Sequence, residues 1–265
     1  ASRGIGKAIA LRLIESGHEV IGTATTQTSA ESISRLLGAG GQGFVLNIST
    51  QQAISDFLDE LKLQQRVPQI LVNNAGILRD KSFKKMTLEE WDLVMQVHLN
   101  GTAYVTHAAW PYLNEQKYGR IVLTSSGSGI YGNFGQANYG AAKMGMLGLM
   151  NVLALEGARN NVRINTLAPG AATRMIATIP GRDIDPNDPP AESAPKLVSP
   201  AVLFMCSEEA PNGAVINAAG GKYFRAQVFV NQPVELGVDA TFEDLQMLAD
   251  TLMDMSKAKP RQRAR

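Results

Sequence analysis

Tyr139 and Lys143 stand four residues apart in a stretch of helical periodicity, so both side chains project from one face. A phenol with an ordinary pKa of about 10 is a poor base at neutral pH. A nearby ammonium would stabilise the phenolate and lower that pKa, making Tyr139 an acid/base group. Ser126 follows the strand-like run Arg120–Thr124, at a strand end where active-site groups gather in open parallel sheets. Its hydroxyl suits a hydrogen bond to a substrate oxygen. A Tyr-x-x-x-Lys spacing alone matches by chance. Its place between the Ser126 loop and Ala168-Pro169-Gly170 makes it far more specific.

A second group of residues could hold an anion. Gly4-Ile5-Gly6 opens the first helix, where glycines let a phosphate approach the backbone and the helix end supplies free N–H groups. The strand after that helix ends at Ala24–Thr25, where the adenosine ribose of a dinucleotide would lie. NAD sites usually place an acid there, but Thr23, Ala24, Thr25 and Thr26 offer none before Glu31. Arg3 beside the glycines could form a fork on a 2′-phosphate, which favours NADP(H) over NAD(H). The plainer reading leaves Arg3 solvated.

Strands and helices alternate along most of the chain, which predicts a doubly wound parallel sheet of the Rossmann type. Helices are expected over Lys7–Glu15, Ser29–Leu37, Gln52–Leu63, Ala137–Ala158 and Ser199–Ser207. Strands are expected over Glu19–Ala24, Gly43–Asn47, Gln69–Asn73, Arg120–Thr124, Val162–Leu167 and Gly213–Asn217. Thr87 followed by Glu90 is a capping-box signal. A glycine- and serine-rich loop is expected up to Gln136, and the proline-rich stretch Ile179–Pro195 reads as a lid. One dinucleotide-binding catalytic domain is expected over residues 1–223. Residues 224–265 form a strand/helix appendage, with an amphipathic helix over Thr241–Met255 and a basic tail.

Bulk properties narrow the function classes. The 265 residues are 45% hydrophobic and 18% charged with net charge +1, an ordinary globular composition that gives no sign of a nucleic-acid or membrane partner. The basic ending Lys257–Arg265 reads as a solvated tail. Cys206 is the only cysteine, which excludes an internal disulfide and fits a reducing, cytoplasmic setting. Met144–Leu155 is too short for the ~20 residues a membrane span needs. The three histidines lack ligand spacing, so no metal is expected. The apolar helix after Lys143 must be buried in the core or at a subunit contact.

The runs ASRGIG from Ala1, NNAG from Asn73, Ser126, Tyr139/Lys143 and Pro169-Gly170 resemble, in order and spacing, the short-chain dehydrogenase/reductases. The resemblance extends to about Gly221. It implies an oxidoreductase in which Tyr139 is the acid, Lys143 binds the nicotinamide ribose and tunes Tyr139, and Ser126 positions a carbonyl. It further implies cofactor contacts from Ser2, Arg3, Gly4, Ile5, Gly6 and Thr25. Asn47 and Ile48 would flank the adenine, Asn74, Ala75 and Gly76 would support the cofactor, and Pro169, Gly170 and Thr173 would lie at the carboxamide. Residues 1 to about 65 look like 3-oxoacyl-acyl-carrier-protein reductases. From about Leu71 the chain looks like the (3R)-hydroxyacyl-CoA dehydrogenase part of peroxisome-type multifunctional β-oxidation enzymes. A mosaic with its change near Asn73 would explain the division, and codon usage on either side would test it. Both branches handle 3-oxoacyl or (3R)-hydroxyacyl thioesters, which sets the substrate expectation.

Three departures from the pattern matter. Family members carry a strand and Thr-Gly ahead of Ala1, so a polypeptide beginning there is expected to be unstable and to bind cofactor weakly. The usual catalytic asparagine is replaced by His98, which either relays a proton to Lys143 or is a hydrogen-bonded buried histidine. No hydratase-like or thiolase-like domain follows, implying a stand-alone enzyme. Relatives use the helix after Tyr139 in a dimer interface, which implies a homodimer or homotetramer.

Overall fold

The computed structural model describes residues 1–177, 185 and 188–261. Its first element, α1 (Gly4–Glu15), begins at the glycines themselves and buries Ile9, Ala10 and Leu13. That stripe meets Val198, Ala201, Val202 and Met205, and the last three lie on the helix Ser199–Cys206. The strand β1 (Val20–Ala24) follows, then α2 (Gln27–Leu37), and β2 (Gly41–Val45) pairs parallel to β1 with Gly22 opposite Gly43. The close approach of α2 needs Gly43, where a Cβ would collide with the Ala30 carbonyl oxygen.

After α3 (Gln51–Leu63) comes a five-stranded sheet in the order β3 (Ile70–Asn73), β4 (Gly119–Thr124), β5 (Val162–Gly170), β6 (Val215–Ala219) and β7 (Lys222–Ala226). The pairs β3–β4, β4–β5 and β5–β6 are parallel, with Val122 opposite both Val72 and Asn165. All six residues of β4 are buried, as expected of a central strand covered on both faces. The connecting helices are α4 (Leu88–Met95), α5 (Gly101–Glu115), α6 (Gly127–Tyr131), α7 (Ala137–Glu156), α8 (Arg174–Ala177) and α9 (Ser199–Cys206). Thr87 and Glu90 close the expected capping box at the start of α4.

The strands β1 and β3 are edge strands of separate sheets, and both line a cavity of about 660 Å³. Helices supply further walls: Ile54 and Leu58 of α3 and Val105 and Ala109 of α5 face it too. At one end the Ala1 nitrogen donates to the Thr23 carbonyl at 2.8 Å.

Three local expectations change. The loop after Ser126 contains the short helix α6, because Ser126 caps it by accepting from the Ser128 N–H. The expected lid includes residues 179–184 and 186–187, which lie outside the described residues, as does the end of the basic tail at 262–265. The described end of the lid forms single turns at Ala191–Ser193 and Pro195–Leu197. The expected helix Thr241–Met255 is two short ones, α10 (Phe242–Met247) and α11 (Ala249–Met253), broken where Leu248 leaves helical geometry at φ −100° and ψ 12°.

The described chain divides into two compact units, Ala1–Arg225 and Ala226–Arg265. In the second, β8 (Phe229–Val230) pairs antiparallel with β9 (Lys259–Pro260). Thr241 and Asp244 form a capping box at α10, and Asn231 donates to the Leu252 and Asp254 carbonyls.

Candidate active site

The strand β4 delivers Ser125 and Ser126, and α7 delivers Tyr139 and Lys143, to one place. Ser125 locks the two elements together: its hydroxyl is buried and donates to the Lys143 carbonyl at 2.7 Å. Gly129 lets α6 lie against α7, since a Cβ there would stand 2.7 Å from Lys143 Cβ. Tyr139 packs with Val94, Ala142, Ile77, Leu78 and Leu99 and is 8% exposed. Lys143 is 3% exposed, donates from Nζ to the Thr124 carbonyl at 2.5 Å, and lies 5.5 Å from the Tyr139 ring centre.

Burial reverses the expected electrostatics of this pair. The Tyr139 phenol is raised above its ordinary value by burial first; a Ser126 hydrogen bond opposes the rise and Asp80 adds to it. Lys143 is pushed down to about 7 by burial. In this state burial, rather than the Lys143 charge, sets the direction of the Tyr139 shift. Removing the ammonium from water costs more than its single carbonyl contact returns, so at neutral pH its charge is only partly present. Tyr139 in this form is a protonated acid, suited to giving a proton to an oxygen held by Ser126.

His98 lies in a π-helical turn, Gln96–Asn100, between α4 and α5. It is 1% exposed and sits edge-on to Tyr139 with ring centres 5.1 Å apart. Nε2 lies 2.7 Å from the Ile77 carbonyl oxygen and 3.0 Å from the Ile77 nitrogen, while Nδ1 has no partner among the described residues. The two contacts belong to different tautomers: a protonated Nε2 donates to the Ile77 carbonyl, and an unprotonated Nε2 accepts from the Ile77 N–H. Gly76 makes room for the ring, since a Cβ would collide with His98 Cε1. Burial first, then Lys143, pushes the imidazole down to about 3, against the opposing bond to Ile77, so His98 is neutral at working pH.

That shift sets a direction for stability. The folded value lies below the ordinary 6.5, so the unfolded chain takes up the proton first as pH falls. The contribution is fully present above pH 6.5 and is lost towards pH 3, by roughly 1.4 kcal/mol per unit. Thermal melts at pH 6.5, 5.5 and 4.5 should show Tm falling by about 3–5 °C per unit in this window. His98→Gln should flatten the slope, and an unchanged slope in that variant would exclude His98 as its source.

The glycine turn collects four of the residues assigned to cofactor. Gly4 has φ +56°, and its missing Cβ would point at Thr173 Cγ2 at 3.5 Å. Gly6 leaves 2.9 Å between the same imagined atom and Asn74 Nδ2. Thus Gly4, Gly6, Asn74 and Thr173 converge, with the end of β1 held alongside by the Ala1–Thr23 bond. The Arg3 side chain does not cap α1, and no acid stands in its first turn, so the helix start offers its N–H groups to an anion. Those features fit a dinucleotide pyrophosphate. Arg3 and Thr25 are exposed, and Arg3 makes no ion pair among the described residues. Ile5 packs against the core, and Ser2 is half-buried. Asn47 is exposed and bends its own loop by accepting from Ser49 N–H at 3.0 Å; Ile48 is half-buried. Ala75 is exposed beside Gly76, and Pro169 and Gly170 pair with Ala218 and Ala219.

Two supports escaped the sequence reading. Asn138 is fully buried, donates to the Arg79 and Glu90 carbonyls, and accepts from the Tyr139 N–H at 2.7 Å. Gln136 holds Asp80 at 2.6 Å. Together they pin the loop after β3 against the start of α7. A polar residue just before Tyr139 was the available signal, but its partners lie 48 to 59 positions away.

These elements are those of the short-chain dehydrogenases, and the chain belongs to that family: the model described as short chain dehydrogenase matches residues 1–180. The chain is 38% identical to a putative short-chain type dehydrogenase/reductase of Mycobacterium tuberculosis, over 98% of this chain and 93% of that protein. It is 36% identical to the 3-oxoacyl-[acyl-carrier-protein] reductase FabG of Escherichia coli, over 84% and 94%. The solved structure of full-length peroxisomal multifunctional enzyme type 2 from Drosophila melanogaster superposes with TM-score 0.79 at 37% identity. That match covers 99% of this chain but only 45% of the Drosophila chain. The protein is accordingly a dehydrogenase/reductase with a Rossmann-type fold, whose relatives include 3-oxoacyl reductases.

Proposed function

We propose that this enzyme reduces a 3-oxoacyl thioester to the (3R)-hydroxyacyl product with NADPH, using Ser126, Tyr139 and Lys143, with His98 beside them. The observation that carries the direction is Tyr139 as a buried, protonated acid next to Ser126. Bound at the glycine turn, the dinucleotide would supply the hydride. Ser126 hydrogen-bonds the substrate oxygen, Tyr139 gives that oxygen its proton, and the apolar wall of Ile77, Leu78 and Leu99 limits water around the phenol. Lys143 is placed to hold the nicotinamide ribose once a hydroxyl draws Nζ from the Thr124 carbonyl. The unpaired Arg3 and the acid-free end of β1 support the 2′-phosphate of NADPH. The relatives named as reductases of acyl-carrier-protein substrates support the thioester. The buried thiol of Cys206 fits a cytoplasmic enzyme, although other relatives are named peroxisomal. Exposed Met144, Val152 and Leu155 on α7 support pairing of two copies along that helix.

Oxidation of NADPH and of NADH, followed by absorbance with acetoacetyl-CoA as substrate, tests this reading. Turnover with NADPH should exceed that with NADH. Arg3→Ala should raise KM for NADPH about 10- to 100-fold, the worth of a charge-assisted bond, with little change for NADH. Sedimentation of the same preparation should give at least twice the chain mass. Turnover with NADH alone would instead favour an NAD-dependent 3-hydroxyacyl dehydrogenase. Binding of a dinucleotide without turnover would favour a non-catalytic dinucleotide-binding module.

A further inference from the structure

The π turn Gln96–Asn100 touches three parts of the site at once. Gln96 Nε2 donates to the Ser49 carbonyl at 3.0 Å, and Asn100 Nδ2 donates to Gln96 Oε1 at 2.9 Å, which fixes the Gln96 amide in that orientation. One residue on, Gly101 leaves the Ile48 carbonyl so close that a Cβ would stand 2.8 Å from its oxygen. The same turn sends His98 to the Ile77 backbone. It also sends Leu99 against Gly145, where a Cβ would stand 2.9 Å from Leu99 Cδ1. A π turn inserts one residue into the helical repeat, and such turns cluster at functional sites. Here the i→i+5 winding lets neighbouring residues face the loop after β2, the loop after β3 and the catalytic helix α7.

We propose that Gln96 is a positioning residue for the adenine end of the cofactor, holding the Asn47–Ser49 loop through the Ser49 carbonyl and tying it to the turn that carries His98. The loop's other bonds are local: Asn47 is exposed, its side chain accepts from Ser49 N–H and its carbonyl from Thr50 N–H. The Gln96 and Gly101 contacts therefore set where Ile48 lies. The adenine would rest against Asn47 and Ile48, so this inference rests on the dinucleotide reading above. Loss of the Gln96 donor frees the loop. An ordering cost then falls on binding of the adenine half, while the nicotinamide half, held near Lys143 and Thr173, is spared.

The test uses the full chain and three substitutions, Gln96→Leu, Gln96→Glu and Gln96→Lys. The probes are adenosine 2′,5′-bisphosphate, nicotinamide mononucleotide and NADPH. One neutral hydrogen bond is worth about three- to tenfold in an equilibrium. Gln96→Leu and Gln96→Glu should weaken the bisphosphate and raise KM for NADPH by that factor. The mononucleotide should bind as before, and kcat should fall by less than KM rises. Gln96→Lys retains a donor for the Ser49 carbonyl and should restore most of the affinity. Equal weakening of both fragments, a loss confined to kcat, or no rescue by lysine would each overturn the proposal. A parent protein that binds neither NADPH nor the bisphosphate would overturn the dinucleotide reading itself. A parent that binds both, with Gln96→Leu unchanged, would overturn only the role of Gln96.

Discussion

Tyr139→Phe is expected to lower kcat with acetoacetyl-CoA and NADPH by about two to four orders of magnitude, the usual contribution of a positioned general acid. The substitution removes one oxygen and keeps the ring. The edge contact with His98 and the packing against Val94, Ala142 and Leu99 therefore survive. Dinucleotide affinity and Tm should stay close to the parent's, because the glycine turn and the loop after β2 do not depend on the phenol hydroxyl. Rates measured at saturating cofactor and substrate, alongside a binding titration, separate these effects. A variant as active as the parent would remove Tyr139 from the mechanism. A variant that has lost cofactor binding as well would assign Tyr139 to the architecture of the site rather than to proton transfer.

Arg120→Met is expected to cost about 3–5 kcal/mol of folding stability, the range for removing one partner of a buried charged network. Arg120 is the largest fully buried side chain and sits in the most enclosed strand. Its guanidinium donates to the carbonyls of Ser207, Gly119 and Asn161, each at 2.9 Å, and stacks over the Tyr118 ring at 4.2 Å. Methionine fills much of the volume but leaves those carbonyls unpaired away from water. The Glu208 contact matters less: that carboxylate is 70% exposed and 3.3 Å away, so water screens it. Equilibrium unfolding in denaturant should show the loss as a lower midpoint with a similar slope. Arg120 enters β4 at the end opposite Ser126, so the folded fraction of the variant should keep the parent's turnover. A loss under about 1 kcal/mol would mean that water reaches the carbonyls once the guanidinium is gone.

The contrast between these two residues shows how legibility in the sequence divides. Tyr139 was visible because a helix converts a four-residue spacing into a shared face, whatever surrounds it. Arg120 reads in the sequence only as the first residue of a strand. Its role comes from Asn161 and Ser207, 41 and 87 positions away, which meet it only when β4 and β5 pair and α9 packs on them. The capping boxes at Thr87/Glu90 and Thr241/Asp244 close within four residues and were likewise written locally.

The sequence by itself determined the alternation of strands and helices, the Ser126/Tyr139/Lys143 set and the glycine turn, because each depends on short-range periodicity or on a residue type no other can replace. Only the tertiary structure decided the protonation of the site. Burial raised Tyr139 and lowered Lys143, against the direction that proximity of charges alone suggested, and it lowered His98 together with the Lys143 charge. It also decided that Gln96 and Asn138 matter, through bonds spanning 47 to 59 residues, and that the run around His98 winds as a π turn. Desolvation and long-range hydrogen bonding are properties of what packs around a residue, and the order of residues along the chain does not state them.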